Sequence, residues 1–123
     1  MASWNPFNCN QFLNRSSKLE LYEVVASPDS CNNEIKLKSS RDVKSITCAD
    51  WYPLFNDKAT IAFGSATGTV SILNLNGNSA RDLNLVISNI PSKRVCNSVS
   101  WNKFSASQLA AGFENIRRFV SHL

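Results

Sequence analysis

Trp51-Tyr52-Pro53, leading to Ile61-Ala62-Phe63-Gly64, is the stretch whose reading decides the fold. It joins an aromatic residue, a loop and a small-residue strand ending in glycine. The chain repeats the phrase as Trp101-Asn102-Lys103 leading to Leu109-Ala110-Ala111-Gly112. A degenerate copy runs from Trp4-Asn5-Pro6 to Gln11-Phe12-Leu13-Asn14. Successive tryptophans stand 47 and 50 positions apart, and Gly64 and Gly112 stand 48 apart.

Short strands repeating at a period a little above ~40–45 residues are the signature of a WD-type β-propeller blade. Propellers close with ~4–8 blades, and 123 residues hold fewer than three at that period. The expectation is therefore an all-β chain, a WD-repeat β-propeller fragment of two to three four-stranded blades that is not closed. Its repeats fall at approximately 1–37, 38–86 and 87–123, the last truncated. Trp4, Trp51, Pro53, Gly64, Gly68, Trp101 and Gly112 are the repeated structural positions. One tryptophan per repeat is most simply packing between blades, since each aromatic buries ~150–250 Å².

Working outward, Lys18 to Val25 sets Leu19 and Leu21 in alternation with charged or polar neighbours, the period of a half-buried strand. The polar turn Arg15-Ser16-Ser17 joins it to Phe12-Leu13 as a hairpin. Ser27 to Asn33 is a loop by composition, and Glu34 to Lys38 a short, charged outer strand. Ile46 to Trp51 forms a strand and Pro53 to Lys58 a loop. Ala59 to Ser65 is apolar enough to be buried on both faces. Gly68 supplies the positive φ for a tight turn into Thr69 to Leu75. Small Ala62, Gly64, Ala110, Ala111 and Gly112 suit inner strands, where blades crowd together. Asn76 to Ser79 is a loop, Asp82 to Ile90 a further strand, Pro91 to Arg94 a break, and Val95 to Trp101 opens the third repeat.

After Gly112 the pattern changes. Ile116, Phe119, Val120 and Leu123 follow a helical spacing, so either a short helix covers the last strand or the third blade is cut off and replaced by unrelated residues. The array ends inside its third repeat. Leu109 to Phe113 is then an unpaired inner strand, and open blade edges of that kind favour self-association.

The net charge of +4 is scattered along the chain, with Arg117-Arg118 the one pair near its end, whereas nucleic-acid surfaces concentrate such charge. No direct nucleic-acid contact is expected. Cys9, Cys31, Cys48 and Cys96 show no C-x-x-C spacing, and His122 stands alone, so no metal site or cofactor is expected. No catalytic group is expected either, because a triad would need His122, two residues from the terminus, as its base. Asp29, Asp42, Asp50, Asp57 and Asp82 are isolated, and Asp50 is assigned to a turn amide or hydroxyl within its own blade. The segment Gly64 to Gly68 lacks the lysine and the following helix of a phosphate loop. No secretory leader or run of ~18 apolar residues appears. Membrane insertion is therefore not expected, and the location expected is cytoplasmic with reduced thiols.

Several segments resemble one family. They are Trp4-Asn5-Pro6 with Phe12-Leu13, the run Leu19 to Val24, Ala49-Asp50-Trp51-Tyr52 with Ile61 to Val70, and Cys96 to Asn102 with Leu109 to Gly112. In order and spacing, over roughly residues 2–117, the chain resembles the Mio (missing oocyte) WD-repeat proteins of the GATOR and SEA complexes. The resemblance implies an amino-terminal propeller fragment of a scaffold that promotes amino-acid signalling to the TORC1 kinase pathway. It also implies other subunits of a GATOR/SEA-like complex as partners, and recruitment to the lysosomal or vacuolar surface. Members of the family are longer, with more blades, a helical solenoid and a zinc domain. Lys103 stands where the family usually has proline. The alternatives are an unrelated WD-repeat adaptor, such as a ubiquitin-ligase substrate receptor, and a basic RNA- or DNA-associated propeller fragment.

Overall fold

The computed structural model describes residues 2–26, 33–54, 59–75, 84–87, 94–105, 107–114 and 121–122, with 84–87 and 121–122 described as backbone. Among these residues every regular element is a strand, and every pairing is antiparallel. Strands β1 (Ala2–Trp4), β2 (Gln11–Arg15), β3 (Lys18–Ala26) and β4 (Asn33–Asp42) form the first sheet in chain order. Strands β5 (Ile46–Trp51), β6 (Thr60–Ser65), β7 (Val70–Asn74) and β8 (Asn84–Ile87) form the second. Strands β9 (Cys96–Trp101), β10 (Gln108–Phe113) and β11 (Ser121–His122) form the third, with β10 in the middle. The three sheets stack as an open β-propeller array.

Local chemistry sets the hairpins. The β2–β3 turn is closed by the Ser16 amide donating to the Lys18 carbonyl at 3.1 Å. Behind it Leu13, Leu19 and Leu21 are buried, while Asn14, Glu20 and Tyr22 on the other face stay partly exposed. At the β6–β7 turn Gly68 has φ of 88°, a conformation that costs glycine little and a residue with Cβ much more. The Gly68 amide reaches the Ser65 carbonyl at 3.1 Å, and the Ser65 amide reaches Thr69 O at 3.0 Å. These bonds fix the register that sets Gly64 opposite Val70.

The second sheet is apolar on both faces, because side chains alternate along a strand and both sets are hydrophobic. Trp51, Ala59, Ile61, Phe63, Leu73 and Leu75 pack with Leu13, Leu19 and Leu21 of the first sheet. Ala62, Val70 and Ile72 pack with Cys96, Val99, Trp101, Leu109 and Phe113 of the third. All six residues of β6 are buried.

Two expectations are corrected. The segment Leu109 to Phe113 is not unpaired, since β10 bonds to β9 on one side and to β11 on the other. The chain returns after Gly112 and sets Ser121 opposite Leu109 and His122 opposite Gln108. Ile116, Phe119, Val120 and Leu123 lie outside the described residues, as do the loops assigned to Ser27–Asn32 and Asn76–Ser79. The outer strand of the first sheet is longer than Glu34 to Lys38. It pairs with β3 from Asn33 to Asp42 across a bulge between Leu21 and Tyr22. No helix among the described residues is long and apolar enough to cross a membrane.

Trp51→Ala removes a ring buried between the first two sheets and should destabilise the chain by ~3–5 kcal/mol. Lys38→Ala loses an exposed ion pair with Glu23 at 3.0 Å, worth at most about 1 kcal/mol. Denaturant unfolding of the two variants checks the contrast.

Candidate interaction surface

The Trp-bearing turns of the first and third sheets carry the same hydrogen bonds. In the first sheet the Asn5 amide donates to the Gln11 carbonyl at 2.9 Å, and the Asn5 side-chain Nδ2 donates to Gln11 Oε1 at 3.2 Å. Asn5 Oδ1 in turn accepts from the Phe7 amide at 2.9 Å. In the third sheet the Asn102 amide donates to Gln108 O at 3.0 Å, and Nδ2 donates to Gln108 Oε1 at 2.7 Å. Asn102 Oδ1 accepts from the Phe104 amide at 2.9 Å. The second sheet keeps only the backbone bond, from the Tyr52 amide to Thr60 O at 2.9 Å. The signal for the side-chain bond, a Trp-Asn pair with Gln six residues after the Asn, stands in the sequence at both ends.

Each of these turns carries one large apolar side chain that is at least partly exposed. Phe7, Leu54 and Phe104 all occupy the third position after the tryptophan, and all three are exposed, Phe104 completely. Each lies on the connection from the first to the second strand of its sheet, so the stacked sheets present them at the same end. Large exposed apolar side chains set at equivalent turns make a surface of the kind that partners cover.

The structural positions differ in their surroundings. Trp51 is 6% exposed and Trp101 2%, whereas Trp4 is 60% exposed. Trp51 Nε1 donates to the Ser3 carbonyl of the first sheet at 3.3 Å. Trp101 meets Tyr52 edge to face with ring centroids 5.0 Å apart. Trp4 packs edge to face on Phe12 at 5.4 Å, and no preceding sheet covers it among the described residues. Pro53 is half-buried where the chain leaves β5. A Cβ on Gly64 would lie 2.5 Å from Cys96 Sγ and 2.8 Å from Cys48 Sγ, so glycine is what lets sheets two and three approach there. At Gly112 a Cβ would meet Ser98 Oγ at 2.8 Å.

Asp50 acts between sheets instead of inside its own. Its Oδ2 accepts from the Trp101 amide at 2.8 Å and from Lys103 Nζ at 3.3 Å. The reason is geometric: β5 runs beside β9, so a short carboxylate on β5 reaches the backbone of the next sheet. Thr47 Oγ1 donates to the Cys96 carbonyl along the same seam. Asp42 faces Lys18 at the surface, 3.4 Å away, and Asp29, Asp57 and Asp82 lie outside the described residues. Among the described residues no three His, Cys, Asp or Glu side chains converge as metal ligands would.

Cys48 and Cys96 are free thiols whose sulfurs lie 3.9 Å apart across this seam. Burial, and next the neighbouring Cys48, push the Cys96 thiol from 9.0 up to about 12.

No protein-family model matches the chain. Over 98% of its length it is 29% identical to the GATOR2 complex protein MIOS-A of Xenopus laevis. It is 25% identical to the GATOR2 complex protein MIOS of Danio rerio, again over 98% of its length. The chain resembles Mio proteins over nearly its whole length. It spans about 16% and 15% of the lengths of those two relatives.

The Cys96 shift fixes a pH dependence. The unfolded chain releases this proton near pH 9 and the folded chain holds it to about 12, so only the unfolded state loses a proton in between. Stability carried by this thiol is intact below pH 9 and falls as pH rises toward 12. Denaturant midpoints measured across that window should decline, and Cys96→Ala should flatten the decline.

Proposed function

We propose that the chain is a non-catalytic WD-repeat element of a protein-interaction scaffold, acting with other subunits of a GATOR2-like complex. The observation that carries this reading is the recurrence of an exposed apolar residue, Phe7, Leu54 and Phe104, at the same turn of all three repeats. Surface area of that kind is costly to leave in water, at roughly 25 cal/mol per Å², and a partner that covers it recovers that free energy. The relatives named as GATOR2 complex proteins supply the kind of assembly, and the stack of sheets supplies a rigid base for the turns.

The finer reading is a Mio-like part in amino-acid signalling to the TORC1 pathway, with the complex bringing the chain to the lysosomal or vacuolar surface. The repeat units at approximately 1–37, 38–86 and 87–123 serve as blades, and Trp4, Trp51, Pro53, Gly64, Gly68, Trp101 and Gly112 as their structural positions. The repeats supply the surface, and no reaction is assigned to them.

The test is capture of GATOR2 subunits from cell extract by the tagged chain, compared with Phe104→Asp and Leu54→Asp. Both changes are at exposed turns, so melting should move by no more than about 0.5 kcal/mol. Capture should fall at least about tenfold. Equal capture by the wild type and both variants, or none by the wild type, would refute the reading.

A further inference from the structure

A single buried cysteine packs as a small apolar side chain. Cys48 and Cys96 instead bring two sulfurs within 3.9 Å of each other, one from β5 and one from β9, across the seam between sheets two and three. Cys96 is fully buried and Cys48 half-buried, so solvent reaches the pair through Cys48.

The backbone is shaped around this pair. Gly64 lies opposite Cys48, and a Cβ there would stand 2.5 Å from Cys96 Sγ and 2.8 Å from Cys48 Sγ, so the sulfurs occupy the room a side chain would take. Each strand also carries an extra residue beside its cysteine. The β5–β6 pairing skips Thr47 between Ile46 and Cys48, and the β9–β10 pairing skips Asn97 between Cys96 and Ser98. Bulges of this kind re-aim neighbouring side chains and recur beside functional sites. Thr47 Oγ1 donates to the Cys96 carbonyl and so ties the backbone of one cysteine to the strand of the other. Both thiol protons have carbonyl acceptors, Ser98 O at 3.6 Å from Cys96 Sγ and Cys96 O at 3.7 Å from Cys48 Sγ.

We propose that Cys48 and Cys96 form a reversible oxidation site, at which hydrogen peroxide converts the dithiol to a disulfide that staples the second sheet to the third. Cys48, the thiol within reach of solvent, attacks one peroxide oxygen. The O–O bond breaks, Cys48 becomes a sulfenic acid and the other oxygen leaves as water. Cys96 then attacks the Cys48 sulfur. The S–S bond forms as the S–O bond breaks, and the hydroxyl leaves with the Cys96 proton as a second water. Two electrons pass from the two thiols to the peroxide. Burial fits Cys96 to the second step, because it keeps that thiol protonated and closed to outside reagents until a sulfenic acid stands beside it. A small thiol reopens the bond by attack at Cys48, the sulfur it can reach.

The test uses the 123-residue chain with Cys9→Ser and Cys31→Ser, which leaves this pair as its only thiols. Treated with hydrogen peroxide while folded, the chain should lose two hydrogens in mass. Trypsin should then release residues 45–58 joined to 95–103, and dithiothreitol should part them. The bond should form at least about tenfold more slowly in urea, where the seam no longer holds the sulfurs together. Closing the loop from 48 to 96 should lower the unfolding equilibrium constant at least about 30-fold. Adding Cys96→Ser should leave Cys48 as a sulfenic acid that dimedone traps, whereas adding Cys48→Ser should leave Cys96 unmodified. Circular dichroism checks folding, and should Cys9→Ser and Cys31→Ser prevent it, the same joined peptides are sought in the unsubstituted chain. Thiols that stay free, oxidation of Cys48 to the sulfinic acid with Cys96 intact, a bond formed no faster in the folded chain than in urea, or an oxidised chain no more stable than the reduced one would each overturn the proposal.

Discussion

Burial of the second sheet on both faces is the constraint from which the rest of the structure follows. Thr60 to Ser65 puts a buried residue on each side of the strand at every step. A sheet of this sort has no face to give to water, so it is stable only as the middle layer of a stack. Leu13, Leu19 and Leu21 cover one side, and Val99, Trp101 and Leu109 the other. On the other face of the first sheet Asn14, Glu20 and Tyr22 stay partly exposed, beside the exposed Trp4 and Leu37.

The two seams solve the same packing problem with different side chains. Between sheets one and two the polar links are long: the Trp51 indole reaches Ser3 O, and Arg15 Nη1 reaches the Ile46 carbonyl at 3.1 Å. Between sheets two and three they are short, from Thr47 and Asp50 directly to the backbone of β9. Short links need close backbones. Gly64 permits that approach by leaving the room that Cys48 and Cys96 fill. Lys103 places its charge on Asp50 and so ties the third Trp turn to the seam.

The central layer was legible in the sequence because its signals are local. Trp51, the apolar run to Ser65 and Gly68 each determine their own strand or turn, and the structure places β5, β6 and β7 on them. Asp50 was legible as a structural acceptor but not as a link between sheets, since strand period says nothing of which neighbour a side chain reaches. The exposure of Trp4 was hidden for the same reason. Its sequence context matches that of Trp101, and only the presence of a covering sheet separates a buried ring from an exposed one. Ser121–His122 is too short a strand to show any period, so its pairing with β10 left no sequence trace. The row of Phe7, Leu54 and Phe104 was readable as a repeat, but its exposure depends on turn geometry that spacing alone does not give.

Three sheets stack face to face through Trp51 and Trp101, and the apolar turns are carried on that stack. The exchange of the three indole N–H protons with deuterated solvent, followed by nuclear magnetic resonance, tests this most directly. The Trp51 and Trp101 protons should exchange slowly, at rates tied to unfolding, and the Trp4 proton more rapidly than either. A Trp51 indole exchanging on the fast timescale of an exposed side chain would mean that the first and second sheets do not pack together, and would contradict the stack.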